Sequence, residues 1–263
     1  MKKGLMIIAA CLLFSHCSKV PLTGRRQFKM VPTNQMSSMS ASQYEQVKTE
    51  TPPLPDSDPR VQMVKRVGAK IAASVNEYLA SNGFKDRVDD FKWEFNVVDQ
   101  PIVNAWCMPG GKVMFYPGIM DICQDEEGIA VVMGHEIAHA VARHGNERMS
   151  QQLVIQTGGM ALSAAMSEKP QLTQNIFMSA VGAGSQLGIL KFSRMNESEA
   201  DQMGLAFMAM AGYEPAAAVD FWERMAAGKD GQAPPEFMST HPSDERRIAD
   251  IEAFLPEARK YKK

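Results

Sequence analysis

Five residues constrain this chain more than any others: His135-Glu136-Ile137-Ala138-His139, an H-E-x-x-H run inside a stretch of plainly helical character. Side chains four apart lie on one helix face, so both imidazoles can point at one metal ion. Glu136 sits beside them, placed to take a proton from a water activated there. The helix that carries the motif has readable bounds. Asp125 is a good N-cap, with Glu126 and Glu127 in the first turn. Ile129, Val132, Met133, Ile137, Ala140 and Val141 form its apolar side. His144-Gly145 predicts its end, with Gly145 in the left-handed cap position.

A catalytic zinc needs three protein ligands and an open position. The motif supplies two, so a His or carboxylate farther along must be the third. Asn196-Glu197-Ser198-Glu199-Ala200-Asp201 is the candidate segment. Glu197 and Asp201 are four apart and share a helix face. Glu197 can ligate while Asp201 accepts a hydrogen bond from the other nitrogen of a ligand imidazole, fixing its tautomer. Glu199 lies about 200° around the helix from Glu197, so the two cannot both face the metal. His144 is nine residues after His135, about 900° around, and is expected to face away and cap the helix dipole. His241 stands before Pro242 in a loop, where an isolated histidine is ordinarily a surface residue.

The chain has 263 residues, 45% hydrophobic and 22% charged, enough for one substantial core or two small ones. Its net charge of -2 gives no footprint for a nucleic-acid partner. No internal repeat is present.

Residues 1–16 read as a signal peptide. Lys2 and Lys3 make a basic start, and Gly4 to Phe14 is an apolar run too short to stay in a membrane as a spanning helix. A cysteine after such a run suggests lipid attachment at Cys17. The preceding His16 departs from the small residue usual there. Ile8-Ala9-Ala10-Cys11 matches that preference better but leaves a very short apolar run. Ordinary cleavage to a secreted protein is the alternative. Cys107 and Cys123 would remain, either bridged in an exported compartment or as two buried thiols.

Residues 17–57 are rich in Pro, Ser, Thr and Gln and predict a tether of loosely packed turns, followed by one domain over 58–263. Asp58 to Asn82 reads as an amphipathic helix, with Val61, Val64, Val67, Ile71, Val75 and Leu79 on one face. Phe91 to Val97 alternates as a strand. Val103 to Met108 and Lys112 to Tyr116 read as two more, around the Pro109-Gly110-Gly111 turn. Residues 151–190 predict a pair of core-facing helices divided by 167–170. Further helices are expected from Pro215 to Gly228 and from Ser243 to Phe254, the last ended by Pro256.

Taken in order, these motifs resemble the zinc metallopeptidase family of HtpX, the CAAX prenyl endopeptidase and periplasmic lipoproteins of the BepA and LoiP kind. The resemblance covers most of the chain. It rests on Ser18 to Gln27, on Asn104-Ala105-Trp106 with Pro109-Gly110-Gly111, and on Gly134 to His139. It continues through Ser193-Arg194 with Glu197, Ala200 and Asp201, then Ala211 to Pro215, Thr240-His241-Pro242 and Arg247-Ile248. It implies an α+β fold, a mostly helical zincin-like domain with a small sheet beside the cleft. It implies one zinc ion per chain on His135, His139 and Glu197, with Glu136 as the proton acceptor and Asp201 and Arg247 behind the ligands. Asn104, Ala105 and Trp106 are implied as the edge that holds an extended peptide. His241 is implied near the metal, either filling the open position as a latch or donating a hydrogen bond to the oxyanion. The expected activity is endoproteolysis of unfolded or misfolded envelope polypeptides; a chaperone or assembly factor for outer-membrane proteins is the alternative, with outer-membrane assembly machinery as a partner. The absence of long spans like those of HtpX implies a bacterial outer-membrane lipoprotein facing the periplasm, held to the membrane through Cys17.

Overall fold

The computed structural model describes residues 17–167, 171–227, 237–238, 241 and 246–262. The expected signal peptide, the 168–170 divider, the end of the helix at Gly228, and the residues Thr240, Pro242 and Ser243 lie outside them.

Two short antiparallel strands open the described chain, β1 (Cys17–Lys19) and β2 (Arg26–Phe28), with Cys17 opposite Phe28. Helix α1 (Thr33–Glu50) follows. The segment read as a loose tether is therefore ordered and packed. Val20 and Tyr44 are fully buried, and the Tyr44 hydroxyl donates to the Val113 carbonyl at 3.0 Å. The buried stripe of α1 is only Met36, Ser40 and Tyr44, one residue per turn, so its composition mimics a linker.

Helix α2 (Pro59–Ser81) starts where Asp58 accepts from the Arg60 amide. All six predicted stripe residues, from Val61 to Leu79, are fully buried. Each such aliphatic side chain contributes roughly 1.5–3 kcal/mol when buried. After the short turn α3 (Lys85–Val88), three strands form one sheet in the order β3-β5-β4. Strands β3 (Glu94–Val97) and β5 (Lys112–Phe115) run parallel; β4 (Ala105–Met108) pairs antiparallel with β5 and lies at an edge. Gly110 and Gly111 both take positive φ in the β4–β5 turn. Strand β3 is shorter than the alternation predicts. Lys92 and Glu94 donate instead to the carbonyls of those two glycines.

Helix α4 (Pro117–Cys123) leads into α5 (Glu126–Ala142), whose first turn is capped by the Asp125 carboxylate accepting from the Gly128 amide at 2.9 Å. The helix ends differently from the expectation. Arg143, not Gly145, takes the left-handed conformation with φ of 58°, held by an ion pair with Asp90. Helix α6 (His144–Met166) starts immediately after. Beyond Ser150 its residues are mainly exposed, Met160 by 66%, so this part of the helix is not core-facing as expected. Helix α7 (Gln171–Met210) runs back across α5. The two cross at Gly134 and Gly204, where a Cβ on Gly134 would stand only 2.7 Å from the Gly204 carbonyl oxygen. Helices α8 (Ala217–Ala227) and α9 (Arg247–Ala258) close the core. Helix α8 starts two residues after Pro215, and Pro256 lies inside α9 rather than ending it. The architecture is α+β, mostly helical with small sheets, and no described helix is long and apolar enough to cross a membrane.

Candidate metal centre

Helix α5 presents His135 and His139 one turn apart, and the glycine crossing brings Glu197 of α7 against them. His241 joins from the segment before α9, its amide donating to the Phe237 carbonyl at 2.8 Å. One donor atom from each of these four side chains lies within 4.8 Å of the others. His135 Nε2 is 3.1 Å from His139 Nε2, 3.2 Å from His241 Nδ1 and 3.4 Å from a Glu197 oxygen. Glu197 is 3.5 Å from His139 Nε2 and 3.1 Å from His241 Nδ1. A tetrahedral zinc with bonds near 2.05 Å has its ligand atoms about 3.3 Å apart. With Glu197 Oε2 as its donor, four of the six donor pairs sit near the edge lengths of a zinc tetrahedron, and the contact of Glu197 with His139 is made by its other oxygen.

The protons point the same way. His135 Nδ1 lies 2.9 Å from Asp201 Oδ1, and a carboxylate can only accept, so Nδ1 carries a hydrogen, and the neutral ring of a metal ligand would present its lone pair at Nε2. Asp201 is held in turn by Arg247 Nη2 at 2.7 Å, whose guanidinium stacks 3.6 Å over the Trp222 ring. His139 Nδ1 meets His144 Nδ1 at 2.9 Å, and His144 Nε2 meets Glu199 Oε2 at 2.9 Å. Glu199 accepts from His144 Nε2–H, so neutral His144 has only a lone pair left for His139 Nδ1–H. His135 Nε2 and His139 Nε2 thus face each other at 3.1 Å, and with both rings neutral a cation between them would take both lone pairs.

Burial opposes charge throughout. It lowers His139 and His144 below the ordinary histidine value. Burial also works against a charged His135, but Asp201 and Glu197 outweigh it and hold that imidazole up at about 9 in the metal-free protein. Burial would raise Glu197, yet the surrounding imidazoles keep it far below the usual carboxylate range. Glu136 is pushed up by burial, with His241 and His135 opposing. Its Oε1 is buried with no hydrogen bond; His241 Nε2 lies 3.3 Å away without hydrogen-bond geometry.

The structure brings together His135, Glu136, His139, Glu197, Asp201, His241 and Arg247. The implied peptide edge divides. Asn104 precedes β4 and is buried, and Ala105 packs in the main core with the metal helix. Trp106 turns the other way, edge-on to Tyr44 at 5.8 Å and 3.3 Å from the Tyr116 hydroxyl, so only its backbone remains on the site side. Cys107 and Cys123 are free thiols, and burial pushes both well up. His144 is a correction of substance. The helical count that turned it away fails because the left-handed Arg143 breaks the helix and swings His144 back onto His139. Glu199, Thr23 and Arg25 were missed with it; no periodicity in the sequence announces a left-handed arginine.

The chain matches Peptidase family M48 over residues 65–255. It is 37% identical to the mitochondrial metalloendopeptidase OMA1 of Schizosaccharomyces pombe, across 93% of this chain and 68% of that protein. The Saccharomyces cerevisiae protein of the same name is 31% identical across 96% of this chain and 74% of its own length. The beta-barrel assembly-enhancing protease of Escherichia coli is 28% identical across 60% of this chain and 33% of its own. Relatives that align along nearly the whole chain thus carry mitochondrial names, which overturns the expected location as a bacterial outer-membrane lipoprotein facing the periplasm. The expectation rested on the targeting segment with its cysteine and on the lack of long spans, and a basic start with a short apolar run is common to several kinds of targeting segment. The chain belongs to peptidase family M48 and is a metalloendopeptidase.

Proposed function

We propose that this chain cuts extended segments of unfolded or damaged polypeptides, as a protein quality-control enzyme with one zinc ion on His135, His139 and Glu197. The observation that carries the reading is the gathering of three imidazole nitrogens and the Glu197 carboxylate at separations of 3.1 to 3.5 Å. Zinc, when bound, supplies Lewis acidity to the water and to the scissile carbonyl. Glu136, with one carboxylate oxygen free of hydrogen bonds, takes the proton of the attacking water and returns it to the leaving amine. Asp201, steadied by Arg247, keeps His135 in the ligating tautomer. Edge strand β4 holds the substrate backbone as an added strand, which selects unfolded segments and reads little side-chain sequence.

His241 fits a latch better than an oxyanion donor. Its Nδ1 is within 3.2 Å of both His135 and Glu197, the place of a fourth ligand. The same segment touches the peptide edge, because the Phe237 amide donates to the Val103 carbonyl at 3.0 Å, just before β4. One outward movement carrying Phe237 and His241 together would clear the fourth position and the start of the edge. Casein cleavage tests the reading: activity that a zinc chelator abolishes and added zinc restores supports it. Cleavage indifferent to the chelator contradicts it.

A further inference from the structure

We propose that Arg25 and Thr23, in the turn between β1 and β2, are positioning residues of the metal centre, acting on His139 through Glu199 and His144. The inference rests on the assignment of His139 as a ligand. His135 has its carboxylate directly behind it, Asp201 at 2.9 Å. His139 has no such neighbour at its Nδ1; it has His144, and the carboxylate stands one imidazole farther out. A relay of that length orients a ligand only if its far end is fixed. Glu199 is gripped there by Arg25 Nε at 2.8 Å and by the Thr23 hydroxyl at 2.5 Å. Arg25 is itself fixed by a two-point contact with Glu147, at 3.0 and 2.8 Å, a geometry specific to guanidinium and carboxylate. Residues more than a hundred positions from the motif therefore set the ring plane and tautomer of one ligand.

The hairpin is tied to the ligand helix itself. Gln27 donates to the Ala142 carbonyl at 2.6 Å, and Arg87 bridges the Val141 and Lys19 carbonyls. These bonds satisfy the C-terminal carbonyls of α5, which the left-handed Arg143 leaves without helical partners. The turn carrying Thr23 and Arg25 is thus held in register with His139, and nothing in the family match, which begins at residue 65, includes it.

The test compares full-length wild type with Arg25→Met, Thr23→Val and His144→Phe, and with the double variant Arg25→Met/His144→Phe. Zinc dissociation constants come from chelator competition, and ring orientation from the visible spectrum of the cobalt-substituted protein. Arg25→Met is expected to weaken zinc binding about 10- to 100-fold and to shift the cobalt bands. Thr23→Val, at an exposed position that should not trouble folding, is expected to move both in the same direction by less. The double variant should bind no more weakly than His144→Phe alone. Ser150→Ala removes another anchor of this segment, the bond from the Met30 amide, without touching the relay; it should leave both readouts unchanged. Wild-type affinity and spectrum in both Arg25→Met and Thr23→Val would overturn the proposal. So would additive losses in the double variant, or an equal loss in Ser150→Ala. His139→Ala separates the two levels: wild-type zinc affinity there would sink the metal assignment itself, whereas lost zinc there with unaffected Arg25→Met sinks only the relay.

Discussion

Gly204 touches the metal helix at the residue that begins the motif: a Cβ added to it would stand 2.8 Å from the His135 backbone nitrogen. Neither helix can move away without carrying a proposed ligand with it, since Glu197 lies two turns before Gly204 on the same helix. Gly204→Ala is therefore expected to destabilise the fold by about 1–3 kcal/mol through overpacking. The damage should reach the metal. Thermal unfolding and zinc content after dialysis check this; full zinc occupancy at an unchanged Tm would show that the crossing does not set the ligand spacing.

Glu197→Ala should weaken zinc binding far more than Glu199→Ala. Glu197 oxygens lie 3.1–3.5 Å from three imidazole nitrogens, whereas Glu199 reaches the site only through His144. Zinc stoichiometry of the two dialysed variants decides it, and equal losses would contradict the assignment.

Glu136→Gln should reduce proteolysis by roughly 10²- to 10⁴-fold, the usual value of a general base, with zinc still bound. The amide keeps the shape and removes the proton acceptor. Near-normal turnover in this variant would remove Glu136 from the chemistry.

His241→Ala should retain zinc on three ligands and cleave casein faster, on the order of tenfold for a latch closed about nine-tenths of the time. A fall of one to three orders of magnitude would instead assign His241 to the oxyanion. Unchanged activity with unchanged zinc affinity would remove it from the site.

Much of this arrangement is legible in the sequence because local physics decides it. The stripe of α2 obeys the 3.6-residue period, Asp125 caps α5, and two glycines make the β4–β5 turn. The four-residue spacing of His135 and His139, and of Glu197 and Asp201, survives because each pair sits within an unbroken helix. What the sequence hides depends on tertiary context. Helix α1 is too polar to look packed, yet Tyr44 anchors it to the sheet. Pro256 stays inside α9. Arg143 adopts a backbone conformation that glycine would have announced, and with it go His144, Glu199 and the hairpin behind them.

The central claim is the identity of the four atoms around one zinc ion. A crystal structure with anomalous diffraction at the zinc edge tests it most directly. The account predicts one peak per chain, at about 2.0–2.2 Å from His135 Nε2, His139 Nε2, a Glu197 oxygen and His241 Nδ1. A peak held by other residues, or zinc-bearing protein with no peak between these four, would contradict it.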